Sequence, residues 1–489
     1  MSHSEGSTLR SNTIGAGHIV FFVVSAAAPL SGVVLGVPVI IGQGNGIGAA
    51  GSFVLVTGVL LLFAVGYSAM SRHVVNAGGF YVYVARGLGR IPGLGAATLA
   101  LFAYTAIQAG MFGALGAYVG RFVRSYLGVD LPWWGYSLAG VALCLALGVR
   151  QVDVGARVLG VMLALETVLI VALDVGIAAT GGAHAGGPAS LSWQPFAPSA
   201  VFGGALGIAL VFAHTSFIGF EATVIYGEEA RNPRRTVPRA TYVALVLMGA
   251  FYAISTWLLT EAFPAAEVVG LAQADPESFT ARAVQAQLGA TSAHVLSALI
   301  ITSIFAAVLA FHNTLARYLF ALGRHGLMWT ALGRTHRTRQ SPEVACYVQA
   351  ASAVVVIVAF AVAGFDPYTN LYVWATGLGA TGIIVLQVVA SVAVFGFFRR
   401  HDVDRRTWHT VVAPVLGMLG LLVLAVAALS NFGLLIGVSS GGAVLALGAV
   451  LLCAALVGMA RAAYLRRHDP AVYNRIGDVA RDAHEPTAR

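Results

Sequence analysis

Apolar residues fall in long uninterrupted blocks, and polar residues gather in the short gaps between them. A membrane-spanning helix needs about 20 consecutive apolar residues. Twelve blocks reach that length or come close. They run approximately Ile19–Ile41, Gly48–Met70, Leu94–Val123, Trp134–Val149, Val158–Thr180, Val201–Tyr226, Thr241–Ala262, Ala293–Leu322, Val344–Gly364, Leu371–Phe398, Val411–Leu429 and Gly441–Tyr464. The pattern predicts an all-α polytopic membrane protein. Residues 1–17 form an N-terminal tail, 18–464 a single transmembrane domain and 465–489 a C-terminal tail. No gap is long enough for a soluble domain, and the Gly-rich stretch Gly181–Pro188 reads as a plain connector.

The gaps alternate in charge. With the N-terminus inside, the inner connections carry Arg72, Arg86, Arg90, Arg150, Arg157, Arg231, Arg234, Arg235, Arg239, Arg324, Arg334, Arg337, Arg339, Arg399, Arg400, Arg405 and Arg406. The outer side holds Arg121, Arg124 and Arg282, and its longest loop is acidic, with Glu261, Glu267, Asp275 and Glu277. Positive residues remain on the cytoplasmic side. Both termini are therefore expected in the cytoplasm, which requires an even number of spans and agrees with twelve. The expected location is a bacterial cytoplasmic membrane.

Composition narrows the function. The chain of 489 residues is 58% hydrophobic and 10% charged, against about a quarter charged for soluble domains. A soluble enzyme, a nucleic-acid-binding domain and a disordered chain are excluded. The net charge of +8 follows from membrane topology and gives no reason to expect a nucleic-acid partner. The 28 basic residues are all arginine, so no mechanism here uses a lysine amine. Cys144, Cys346 and Cys453 are scattered singly and suggest neither disulfides nor metal ligation. The first apolar block has no cleavage site of the signal-peptide kind. No phosphate-binding loop, Gly-x-Ser-x-Gly elbow or Cys/His cluster appears. No cofactor is expected, and the chain is not expected to be an enzyme.

Two blocks look interrupted. The first contains Ala27-Ala28-Pro29-Leu30-Ser31-Gly32, and proline removes a backbone donor and clashes with the preceding turn. The sixth contains His214-Thr-Ser-Phe-Ile-Gly-Phe-Glu221. Each alone is compatible with a kink or close helix packing. Paired breaks at matching places in two halves point to a transporter's binding site near the bilayer midplane. Ionisable groups at that depth are costly and serve as functional candidates. Glu166 lies nine residues past Arg157, about 13 Å into the bilayer at the helical rise. It is the first candidate for a proton carrier, with a structural carboxylate as the bland reading. Glu221 is shallower and is the second candidate, or else a helix-end acid paired with an inner arginine. Asp174, Glu228 and Glu229 read as interfacial and structural. His214 and His312 read as packing residues. Thr302 and Ser303 are weak candidates for a sodium site, since such hydroxyls commonly bond back to their own helix. Tyr104 and Gln108, one turn apart, either face a cavity or join helices, and Phe217 is either a gate or core packing.

Three blocks resemble the amino acid–polyamine–organocation transporter superfamily. They are Asn76-Ala-Gly-Gly-Phe-Tyr-Val-Tyr-Val-Ala-Arg-Gly-Leu-Gly89, then Ser216-Phe-Ile-Gly-Phe-Glu221 with Glu228-Glu-Ala-Arg-Asn-Pro-Arg-Arg-Thr-Val-Pro238, then Asn313-x-x-x-Arg317 with Arg324-His-Gly326 and Ser341-Pro342. The resemblance covers Gly15 to Arg467. It implies five helices, five more in inverted topology (repeats of about 18–180 and 200–398) and two extra helices (411–464). It further implies a substrate site between the first and sixth breaks, taken here as Ala27, Ala28, Pro29, Leu30, Ser31, Gly32, Thr215, Ser216, Phe217, Ile218 and Gly219, with contributions from spans three, eight and ten; Tyr104 and Gln108 are the candidates on span three. The family's Gly-Ser-Gly-Ile in the first break is replaced here by Ala27-Ala28-Pro29-Leu30-Ser31-Gly32, which leaves the register of carboxylate contacts open. Some members carry a lysine in the fifth span, and Glu166 stands at about that place. The expected function is import of an amino acid or related small amine by alternating access, coupled to protons. The alternatives are obligate exchange, sodium symport, and a membrane sensor in a transporter-like fold. The expected partners are the small-molecule substrate, the proton and membrane lipid.

Overall fold

The computed structural model describes residues 14–74, 79–150, 152–184, 187, 190–228, 230–336, 341–431, 433 and 441–477. Of the positions named above, 1–13, 76–78, 188, 229, 337, 339 and 478–489 lie outside the described residues.

Among the described residues, twelve helices are long and apolar enough to cross a bilayer. They are α1 (Ala16–Gln43), α2 (Gly46–Ser71), α3 (Arg90–Leu127), α4 (Trp133–Arg150), α5 (Gly160–Thr180), α6 (Leu206–Val224), α7 (Pro233–Glu261), α8 (Ala290–Arg324), α9 (Glu343–Val362), α10 (Pro367–Arg400), α11 (Trp408–Ser430) and α12 (Gly448–His468). The molecule is an all-α polytopic membrane protein. Hydrocarbon enforces this architecture, because every backbone group must be bonded within its own segment. Helix α7 starts eight residues before its apolar block because Pro233 opens it at the first helical position, where a missing N–H costs nothing. Helix α3 has 38 residues, about 57 Å at the helical rise. It therefore projects beyond the hydrocarbon, and at its far end Arg121 pairs with Glu277 and Arg124 with Asp130.

Burial sorts the helices into centre and rim. In α3, α6 and α10 the buried share is 78%, 83% and 72%, whereas α4, α5 and α12 reach only 28%, 28% and 22%. The rim faces lipid, and the centre holds the interrupted helices.

Among the described residues the connections also form shorter helices, the longest of them Phe80–Leu88 before α3, and Val268–Ala274 and Pro276–Leu288 between α7 and α8. None was expected from hydrophobic length, because none needs to span. Phe80–Leu88 lies between Gly79 and Gly89, both at positive φ (52° and 115°), backbone that favours glycine. Its Gly87 packs so tightly on α10 that a Cβ would fall 1.9 Å from the Ala393 carbonyl oxygen.

Candidate functional site

Helix α1 breaks at Ala28. Residues Ala16–Ala27 form its first half, Ala28 adopts left-handed backbone (φ 45°, ψ 72°), and Pro29 opens the second half. Alanine at positive φ is strained, and the surroundings fix it there. The Ala28 amide turns back to the Ser25 carbonyl at 3.2 Å, while the Tyr252 hydroxyl of α7 donates to the Ala27 carbonyl at 3.3 Å. The second half passes through a wide turn, Gly32–Gly36, before resuming as Val37–Gln43. Its leading amides form a helix N-terminus, which lacks the preceding carbonyls of a continuous helix and carries partial positive charge.

Helix α6 is interrupted as well. Leu206–Thr215 is α-helical, a tight turn follows, Gly219 takes φ +115°, and the chain continues as a 3₁₀ helix, Phe220–Glu228. Within the turn, Phe217 donates to the His214 carbonyl at 2.9 Å and Ile218 to that of Thr215 at 3.2 Å.

Both breaks open onto one cavity of about 830 Å³. Ala27, Ala28, Ser31 and Gly32 line it from α1, and Thr215, Ser216 and Ile218 from α6. Ile107 and Met111 on α3, Phe311 on α8, and Tyr372 and Thr376 on α10 close the sides. The cavity extends past Gln43, Pro276, Thr369 and Asn431, toward the face opposite the N-terminal end of α1. No charged side chain is among its lining residues. Among the described residues the buried hydroxyls of Ser31 and Thr376 have no hydrogen-bond partner, so both are open to a ligand in the cavity.

The other face carries contacts that cross the bundle. Tyr81 of the helix Phe80–Leu88 bonds His325 Nδ1 at 2.9 Å, and the Arg317 guanidinium lies 5.2 Å over the Tyr226 ring. Residues of the first and third sequence blocks thus meet on this face, with Tyr226 from the stretch between the two parts of the second. The segment before α1 also lies there, where Arg231 donates its amide to the Ile14 carbonyl at 2.8 Å.

The remaining sequence candidates divide between cavity and framework. Pro29 and Leu30 are buried at the break, and neither lines the cavity. Phe217 points away from the cavity into the core, 6.4 Å from Phe53 and 5.7 Å from Tyr252, ring to ring. Tyr104 and Gln108 face neighbouring helices. The Tyr104 hydroxyl donates to Glu221 Oε1 at 2.5 Å. Gln108 donates to the Val308 carbonyl at 3.1 Å and accepts from Gln349 at 2.5 Å. Glu221 meets Tyr104 and the Gly219 amide (3.1 Å), rather than an arginine, and Tyr67 holds its carbonyl. This carboxylate clamps the lower half of α6 to α3.

Glu166 is buried on α5, facing Thr302 and Ser303 of α8, with Tyr252 nearby. Among the described residues Glu166 Oε1 and Ser303 Oγ have no hydrogen-bond partner, and Thr302 bonds the Leu299 carbonyl of its own helix at 2.8 Å. Asp174, two turns further along α5, accepts from Ser255 at 2.6 Å. His214 bonds Gln387 at 2.8 Å, and His312 packs against Gly148. Ile107, Met111, Thr376 and Tyr252 were not singled out from the sequence. Ile107 and Met111 flank Gln108 on α3 and look like any other core residue.

Two interrupted helices meeting at a cavity inside a membrane-embedded bundle define a solute permease. A family model described as "Amino acid permease" matches residues 21–464, and the chain belongs to that family. Its relatives are transporters rather than enzymes. The branched-chain amino acid permease BcaP of Lactococcus lactis subsp. cremoris is 26% identical over 47% of this chain and 46% of that protein, so the chain spans about half of this relative's length. The low-affinity putrescine importer PlaP of Escherichia coli (strain K12) is 25% identical over 74% of this chain and 76% of its own length. The serine/threonine exchanger SteT of Bacillus subtilis is 23% identical over 72% and 75%.

Proposed function

We propose that this permease imports a zwitterionic amino acid across the bacterial cytoplasmic membrane, coupled to protons, by alternating access. The observation that carries the reading is the uncharged cavity joining both helix breaks. A substrate carboxylate would sit at the amides opening the second half of α1, beside Ser31, where the helix terminus favours anions. Its ammonium would face the carbonyls of the Thr215–Ile218 turn. Apolar Ile107, Met111 and Phe311 suit an uncharged side chain. A diamine such as putrescine finds no carboxylate in this wall, because Glu221 is spent on Tyr104 and Gly219.

Both termini lie inside on this reading, so the cavity faces outward and the Tyr81–His325 side forms the closed inner gate. Residues 18–180 and 200–398 form the inverted repeats, with 411–464 as the extra pair. Glu166 carries the proton: its neutral form bonds Thr302 and Ser303, and its release reshapes the α5–α8 contact against α1. Glu221 holds the gate and is the second coupling candidate. Thr302 and Ser303 serve Glu166 rather than sodium.

The test is Glu166→Gln in proteoliposomes. It should abolish accumulation driven by a pH gradient while sparing exchange of internal for external substrate. Accumulation by the variant would remove Glu166 from the coupling. Wild-type uptake that requires substrate on both sides would replace symport by obligate exchange. Uptake that needs a sodium gradient would move coupling to that ion, and absence of substrate movement across a sealed membrane would favour a sensor.

A further inference from the structure

On the face that carries the N-terminal end of α1, three separate segments surround a second cleft of about 430 Å³. The end of α2 contributes Arg72 and His73, the start of α7 Arg234 and Arg235, and the α10–α11 connection Asp404 and Arg406. Four guanidiniums and one carboxylate leave three positive charges. The carboxylate is already used. Asp404 takes Arg406 in a two-pronged pair, Nη2–Oδ2 at 2.6 Å and Nε–Oδ1 at 3.0 Å, and accepts the Arg406 amide as well.

Among the described residues no carboxylate pairs with Arg72, Arg234 or Arg235. The buried Arg72 Nε has no hydrogen-bond partner among the described residues. Burial holds the His73 imidazole below its usual range, so it adds a neutral polar wall rather than a fifth charge. Membrane topology accounts for arginines on this side, but does not require three segments to aim them at one cleft against their mutual repulsion. An anion between them offsets that repulsion, and guanidinium forks match phosphate oxygens.

The level of the cleft indicates where the anion comes from. Trp408, Val411 and Val412, next in the chain after Arg406, are 49%, 37% and 37% exposed. An exposed tryptophan beside exposed valines marks the headgroup boundary of a bilayer. Acyl chains can lie along this first turn of α11 while their phosphate reaches the arginines. We propose that the cleft binds the phosphate of an anionic phospholipid headgroup, a site separate from the substrate cavity. Basic pockets between spanning helices on the cytoplasmic side suit such lipids.

The test counts lipids on the purified protein by native mass spectrometry, titrating phosphatidylglycerol against phosphatidylcholine. Phosphatidylglycerol should bind at least about tenfold tighter, as charge-assisted hydrogen bonds require. Arg234→Gln/Arg235→Gln should lose that preference and Arg72→Gln should weaken it. Arg466→Gln/Arg467→Gln removes equal charge at the end of α12 and should keep it. Equal binding of the two lipids by the native chain would overturn the proposal, whatever the variants do. So would an equal loss in the α12 control, which would assign the effect to general surface charge. Displacement of phosphatidylglycerol by millimolar inorganic phosphate would overturn the lipid assignment and leave a free-anion site.

Discussion

Replacing Gly32 with alanine adds a single methyl group at the point where the broken half of α1 rests on α7. That methyl would lie 2.6 Å from both Cε1 and the hydroxyl of Tyr252. Ordinary carbon contacts begin near 3.5 Å, so the overlap is roughly 1 Å. Tyr252 is fully buried and cannot move aside, being stacked on Phe53 at 5.2 Å with Phe217 at 5.7 Å on another side. Overpacking of this kind costs about 1–3 kcal/mol. Because Gly32 also lines the cavity, ligand binding should fall together with stability. Gly58 on α2 is the matched control, with nothing within 4 Å of its added Cβ. There, Gly→Ala should be neutral or stabilise by up to about 1 kcal/mol through helix propensity. Unfolding in lipid nanodiscs measures both variants. A double-mutant cycle of Gly32→Ala with Tyr252→Ala should show coupling of about 1 kcal/mol or more. If Gly32→Ala behaves like Gly58→Ala, or the cycle shows no coupling, α1 does not pack on Tyr252 and the break is misplaced.

Tyr104→Phe removes one of the two bonds to the buried Glu221 carboxylate. It should destabilise the protein by about 1–3 kcal/mol, and pairing it with Glu221→Gln should cost less than the sum of the singles, as read by the same unfolding assay. Thr376→Val removes an unpaired hydroxyl from the cavity wall and should weaken substrate affinity by about three- to tenfold. Thr381→Val, whose hydroxyl bonds the Gly377 carbonyl of its own helix, should leave affinity unchanged, and equilibrium binding distinguishes them. The Arg406 pair holds the Asp404 carboxyl at about 2, below its unfolded value of about 3.9. The stability from this pair is therefore full above about pH 4 and is lost as pH falls toward 2. Arg406→Gln should flatten that part of the acid-unfolding profile, and an unchanged profile would remove the pair as a contributor.

The spans were legible because hydrocarbon demands a long apolar run for each one, whatever its neighbours are. The breaks were legible for the same reason, since Pro29 and Gly219 each interrupt such a run. Other features depend on partners that local sequence cannot name. Glu221 finds Tyr104 at a distance of 117 residues along the chain. The turn at Ser216–Gly219 decides that Ile218 faces the cavity while Phe217 faces Tyr252, and two adjacent apolar residues carry no sign of this. Ile107 and Met111 differ from core residues only by the space across from them. The short helix Phe80–Leu88 is held by Gly87 against Ala393, a tertiary contact with no hydrophobic-length signature.

In the proposed transport cycle, substrate lies between the two helix breaks. The direct measurement is protection of single cysteines at Ser31 and Ser216 from a membrane-impermeant thiol reagent. The exposed Cys453 is first replaced by alanine. Both positions should label from the cavity side, L-leucine or another neutral amino acid accumulated by the protein should block labelling, and putrescine should not. Labelling that proceeds unchanged in saturating transported substrate, with a cysteine at the core position Phe217 labelling equally well, would contradict the account.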